Sequence, residues 1–123
     1  MNKESKPTAD DLALAFRWGQ LLNKLEKLIG KRPENLDSVL FLIGVQELGQ
    51  GPKNFSKEEK QDLMHIAICR VLSKSGFYEL EGSDKEGWPC WKLIKPLPQI
   101  SLTEQEKVLK MHIIDYFEDE QIT

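Results

Sequence analysis

The sequence predicts a mainly α-helical domain with one small β-hairpin: four helices, with the hairpin between helix three and helix four. Three observations lead to this fold class. The run at 39–45 is entirely apolar in a chain of which 30% is charged, so it belongs at the centre of the fold. Segments before and after it have the helical spacing of apolar residues. Two short alternating segments flank a turn-rich loop, as in a hairpin.

Helix one is predicted over residues 9–29. Thr8 can cap it, and Asp10 and Asp11 lie in its first turn, where the helix dipole favours acidic side chains. Gly30 ends it. Its apolar residues recur at a 4-3-4-3 spacing, which is typical of a packed helix face; they are Leu14, Trp18, Leu21, Leu25 and Leu28, with Leu22 and Ile29 beside them.

The segment 36–48 contains the apolar run and is compatible with a buried helix or a buried strand, because a short apolar run does not distinguish the two. A helix is favoured, since Asn35 and Asp37 lie at its start and Gly49 follows its end. The segment is also long enough for three turns. Apolar side chains on every side of such a helix predict a central position.

Helix three is predicted from Ser56, which forms a capping box with Glu59, to about Lys74. Helix four begins at Ser101 or at Thr103, because each is followed three residues later by a glutamate. Six residues of helices two, three and four are predicted to be nearly inaccessible to solvent: Leu40, Ile43, Ala67, Ile68, Val71 and Leu109.

The hairpin is predicted over residues 77–95, with strands at 77–81 and 91–95. Pro89 belongs at the start of the second strand or on a sheet edge, because it cannot donate a hydrogen bond to the ladder.

Residues 8–118 are therefore predicted to form a single domain. A flexible arm at 1–7 precedes it and an acidic tail at 119–123 follows it. No apolar segment follows Met1, so we expect no secretory signal and a cytoplasmic protein with reduced cysteines. The longest apolar run is too short to span a bilayer, and no membrane partner is expected.

No catalytic residue, metal site or cofactor is predicted. His65 and Cys69 are four residues apart on one helix and could join Cys90 and His112 in a two-histidine, two-cysteine zinc site. Their spacing matches no zinc motif, and core packing is the favoured explanation of Cys69 and His112. The glycines before Pro52 lack the lysine and hydroxyl pair of a phosphate-binding loop.

The order of three helices and a hairpin resembles that of a winged helix-turn-helix domain, in element order only. The resemblance implies a DNA-binding regulator, with helix three as the recognition helix and the hairpin as the wing. The charges disfavour nucleic acid, because residues 57–62 and 84–86 each carry a net charge of −1. DNA binding would be favoured by a basic surface formed by five residues of helix one and of the loop that follows this helix: Arg17, Lys24, Lys27, Lys31 and Arg32.

The favoured function is a non-catalytic protein-interaction or adaptor domain, with the DNA-binding regulator as the alternative and a small enzyme in third place. Leu12 and Phe16 lie opposite the main stripe of helix one and are candidate partner-binding residues. Trp88 and Trp91 of the hairpin are also candidates, since aromatic residues are enriched at interfaces. Leu12 and Phe16 further predict a weak dimer through the N-terminal half of helix one.

Overall fold

The helices and the hairpin occur in the predicted order in the computed structural model of the chain, which describes residues 6–121. The fold is mainly α-helical, with one two-stranded antiparallel hairpin between the third and fourth helices of this range. The elements are α1 (Ala9–Ile29), α2 (Leu36–Leu48), α3 (Lys57–Ser73), β1 (Tyr78–Ser83), β2 (Pro89–Leu93) and α4 (Leu102–Glu120).

Side chains at the helix starts explain these boundaries. Thr8 and Ser56 form capping boxes with Asp11 and Glu59, so each pair satisfies two backbone amides that a helix leaves free. The run at 39–45 is helical, as favoured, because it lies within α2, and Asn35 caps this helix by accepting a hydrogen bond from the Ser38 amide. For α4 the cap is Ser101, which accepts from the Glu104 amide, rather than Thr103.

The main core lies where α1 and α4 pack with the central helices α2 and α3. Four of the six residues predicted to be inaccessible are buried, namely Leu40, Ile43, Ala67 and Val71. Ile68 and Leu109 are only partly buried and pack against the edge of this core. The buried residues of α1 are Leu21 and Leu25, and those of α4 are Ile113, Ile114, Tyr116 and Phe117.

A smaller core cluster joins the hairpin to the central helices. Leu48, Leu63 and Ile66 are its buried members, and Trp88 and Trp91 are packed against them. The strands are displaced by one or two residues from the predicted bounds, and Pro89 opens β2 as expected. The register shifts between Leu80 and Gly82, which pair with Trp91 and Cys90. This bulge leaves residue 81 unpaired in the register and offsets the two strands.

The first two residues of the predicted acidic tail lie in the last turn of α4. Asp119 and Glu120 belong to α4, where they form ion pairs with Lys74 and Arg70. The arm predicted at 1–7 is described only at its last two residues, which have no regular structure, and residues 1–5 and 122–123 lie outside the described range. Within residues 6–121, no helix has the length and apolar character needed to cross a membrane.

Candidate functional site

An open apolar groove runs along α2, between that helix, the C-terminal turns of α1 and the loop to α3. We call it the α1–α2 groove. It has two adjoining lobes of about 550 and about 590 Å³, which share Ile29, Phe41 and Leu42. One lobe reaches Asn35 at the start of α2 and the other reaches Gly49 at its end. The groove therefore follows the whole length of α2.

The groove exists because α2 is apolar on all sides while its neighbours cover only part of it. Helix α3 packs tightly on one side, and Val39, Leu40 and Ile43 face the main core. Phe41, Leu42 and Val45 lie on another side and remain partly exposed. Phe41, which the sequence places inside a central helix, is therefore a groove residue rather than a fully buried one.

Two large side chains at the end of α1 extend this apolar surface. Leu28 is 58% exposed and Ile29 is 46% exposed, and both line the groove. They correct the prediction that the α1 stripe is buried to its end. The helix ends at Gly30, whose φ of 82° is left-handed and redirects the chain. Leu28 and Ile29 therefore lie in the last helical turn.

Aromatic side chains connect the groove to the hairpin. The rings of Phe41 and Phe55 meet edge to face with centroids 6.0 Å apart, and Phe55 meets Trp88 in the same way at 6.4 Å. Such edge-to-face pairs stabilise by about 0.5–1.5 kcal/mol beyond the area that they bury. Trp88 therefore supports one wall of the groove through Phe55.

The four predicted partner-binding residues do not come together. Leu12 and Phe16 are 61% and 67% exposed on the N-terminal half of α1, and they belong to neither core cluster. Trp88 and Trp91 are partly buried beneath the hairpin. The indole nitrogen of Trp91 is buried without a hydrogen-bond partner among the described residues.

The basic residues required for a DNA-binding face are partly engaged elsewhere. Arg17 forms an ion pair with Glu118 at 2.9 Å, and Arg32 pairs with Glu26 at 3.5 Å. Lys24, Lys27 and Lys31 form no ion pair within residues 6–121.

His65 and Cys69 are neighbours, as their helical spacing predicts, with 3.5 Å between the imidazole Nε2 and the thiol Sγ. Burial raises the pKa of the Cys69 thiol to about 11, which opposes formation of the thiolate that would bind a metal or attack a substrate. Across residues 6–121 no three histidine, cysteine or acidic side chains are grouped as a metal site would require.

His112 forms two hydrogen bonds, and the one to Ser75 joins residues that are far apart in the sequence. Its Nδ1 is 2.7 Å from the Val108 carbonyl oxygen, which accepts a hydrogen bond from it, and its Nε2 is 2.7 Å from the Ser75 hydroxyl. Nδ1 therefore carries a proton, because a carbonyl oxygen can only accept. The bond to Ser75 connects α4 to the turn after α3. His112 is partly buried at the core edge, close to the predicted core position.

Comparison of the chain with protein-family models, with curated proteins and with solved structures found no match. The groove is thus the main guide to function, and its residues were not among the sequence candidates. One signal pointed to it: a helix that is apolar on all sides needs neighbours on all sides, and the chain has few elements to supply them.

Proposed function

We propose that this chain is a non-catalytic protein-interaction domain that binds a segment of a partner protein in the α1–α2 groove. The supporting observation is the continuous apolar surface formed by Leu28 and Ile29 of α1 with Phe41, Leu42 and Val45 of α2. Exposed apolar surface of this kind marks binding sites, because water is released when a partner covers it. The free thiols of Cys69 and Cys90 are consistent with a cytoplasmic location, which belongs to the same proposal.

The experiment compares two leucine-to-glutamate variants of the full chain. Leu28→Glu puts a charge in the groove, whereas Leu102→Glu puts the same charge on the first residue of α4, where the leucine is 81% exposed and outside the groove. Both variants should retain the circular dichroism spectrum and melting temperature of the parent, because neither leucine is buried.

Affinity capture from the source cells, with quantitative mass spectrometry, gives the readout. We expect at least one protein to be retained by the parent chain and by Leu102→Glu and lost by Leu28→Glu, since a charge in an apolar interface is costly. Identical sets of captured proteins for all three chains would contradict the proposed function.

A further inference from the structure

We propose that the occupant of the α1–α2 groove is an amphipathic helix of a partner protein, apolar on one face and acidic beside it. This inference rests on the proposed function and specifies its ligand. Three features of the groove support it: its length, the helical side chains that form its walls, and its charge.

The length of the groove fits a short helix. Helix α2 has 13 residues and is thus about 20 Å long, and the groove follows it from Asn35 to Gly49. A partner helix of about three to four turns has this length. It would place apolar side chains spaced at i, i+3 or i+4 and i+7 on Ile29, Phe41 and Leu42.

The walls favour a helix over an extended peptide. A bound strand pairs its backbone with an open sheet edge, but the walls of this groove are formed by side chains of helices and of the loops between them, and no strand residue within 6–121 lines it. A peptide pressed against such side chains must satisfy its own amides and carbonyls. An α-helix does so along its whole length.

The charge of the groove selects an acidic partner. Four basic and two acidic side chains line its two lobes: Lys31, Arg32, Lys53 and Lys60, with Glu34 and Asp37. This local excess of positive charge contrasts with the net charge of −3 of the whole chain. Lys31 and Lys60 form no ion pair within residues 6–121 and are free to meet carboxylates. Lys53 forms no ion pair there either, but it donates a hydrogen bond to Gln50, and Arg32 is already paired with Glu26. Rim charges of this kind mainly set orientation, specificity and association rate.

A second copy of this chain is a poorer occupant, because its acidic helix is already engaged. Glu118 and Glu120 of α4 are paired with Arg17 and Arg70 at 2.9 and 3.0 Å, and Asp119 is paired with Lys74. The apolar face of α4 lies in the main core. The acidic end of α4 and its core face are therefore not free to enter the groove of a neighbour.

The test measures binding of designed peptides to the full chain by fluorescence anisotropy. The probe is a peptide of about 16 residues with leucines at i, i+3, i+4 and i+7, four glutamates beside the leucine face, and alanines elsewhere to favour the helix. One control replaces its glutamates with lysines, and another scrambles the order of the residues. We expect the acidic helix to bind at least about 10-fold more tightly than either control, and Leu28→Glu to weaken it by about 10-fold or more.

Charge reversal in the protein tests the role of the lysines. Lys31→Glu combined with Lys53→Glu should weaken the acidic peptide and strengthen the lysine peptide. Lys85→Glu combined with Lys92→Glu makes the same change of charge on the hairpin, outside the groove lining, and should leave the preference intact. Equal affinity for the acidic and the basic peptide, or binding unaffected by Leu28→Glu, would overturn the inference.

Two other occupants would also overturn it. A dimer in sedimentation equilibrium that Leu28→Glu abolishes would identify a second copy, and binding to phosphatidylglycerol vesicles that Leu28→Glu abolishes would identify a lipid surface. The proposed function fails separately. If no peptide binds but a captured protein is still lost with Leu28→Glu, the groove binds a protein and only the acidic helix is wrong.

Discussion

The Asp11 carboxylate takes part both in the capping box of α1 and in an ion pair with α4. It accepts a hydrogen bond from the Thr8 amide at 3.1 Å within the capping box of α1, and it pairs with Lys107 of α4 at 2.9 Å. The hydrogen bond from Lys107 lowers the pKa of Asp11, and the same contact raises the pKa of Lys107. The side chain that begins α1 thus also attaches α1 to α4.

Replacing Asp11 with asparagine should lower the melting temperature at pH 7. A carboxyl whose pKa is lowered by folding stabilises the protein above its ordinary pKa of 3.8, and this contribution is lost as the pH falls through the folded-state value. The difference between parent and variant should therefore shrink below pH 3.8. Thermal unfolding across this range measures it.

Asp10→Asn is the matched control, because Asp10 lies in the same helical turn and forms no ion pair within residues 6–121. It should show a smaller difference at pH 7. A difference for Asp11→Asn that is constant from neutral to acidic pH would contradict a role for the charge.

The two cysteines should differ in reactivity. Cys69 is fully buried with a pKa raised to about 11, whereas Cys90 is only partly buried on β2. In the Cys90→Ser variant, alkylation of the remaining thiol near pH 8 should be at least about 100-fold slower in the folded chain than in denaturant, because both burial and the scarcity of thiolate oppose it. Equal alkylation rates in the folded and denatured chains would show that the Cys69 thiol of α3 is accessible in the folded protein.

The packing of α2 on α3 depends on Gly44. A Cβ atom at this position would collide with the Leu63 carbonyl oxygen and would lie 2.8 Å from the Leu63 Cβ, far inside contact distance. The absence of a side chain therefore lets the two backbones approach closely. A larger apolar residue at position 44 would leave the run at 39–45 apolar, but it would prevent this close packing of α2 on α3.

Gly44→Ala should destabilise the fold by about 1–3 kcal/mol or more, because a backbone atom cannot move aside as a flexible side chain can. Gly19→Ala in α1 is the control, since a Cβ there has no atom within 4 Å. It should stabilise by about 0.5–1 kcal/mol through the higher helix propensity of alanine. Urea unfolding measures both, and equal stability of the two variants would contradict the close approach of α2 and α3.

A polar contact also joins three of the four core helices, α2, α3 and α4. The Tyr116 hydroxyl of α4 donates a hydrogen bond to Glu47 of α2 at 2.7 Å, and Arg70 of α3 pairs with the same carboxylate at 3.3 Å. Burial is the main cause that raises the pKa of Tyr116, and the adjacent Glu47 adds to it. The phenol thus stays neutral and keeps its donor.

For the whole molecule, the N-terminal half of α1 offers a second surface, distinct from the groove. Asp11 pairs with Lys107 and Arg17 with Glu118, so α1 and α4 run parallel, side by side. Leu12 and Phe16 lie on the outer face of this pair. The weak dimer expected from the sequence would use this face, since a self-complementary patch is enough for a symmetric pair.

Phe16→Glu should shift such a dimer toward monomer without unfolding it, because Phe16 is 67% exposed and loses little packing. Sedimentation velocity over a concentration series measures the shift. Leu80→Glu on the hairpin, also at an exposed leucine, should leave association unchanged. A monomer at every concentration would end the dimer prediction, and unfolding of Phe16→Glu would contradict the exposed position of the ring.

Local chemistry determined the helices of this protein and the approximate place of its hairpin. Thr8, Ser56 and Ser101 cap helices through contacts within a few residues, and Gly30 ends one by its own backbone conformation. Such features can be predicted from short stretches of sequence, because the residues that interact are close together in the chain. The burial of Leu40, Ile43, Ala67 and Val71 followed from apolar spacing in the same way.

Tertiary structure alone decided where the apolar surface remains open. Leu28 and Phe41 look like core residues in the sequence, and they are exposed or half-buried because no element covers that side of α2. The Ser75–His112 bond and the Gly44–Leu63 contact likewise join residues that are distant in the chain. Periodicity states which face of a helix is apolar. Whether that face is buried depends on how the other helices are distributed around it, because burial is a property of the packed molecule and not of the segment.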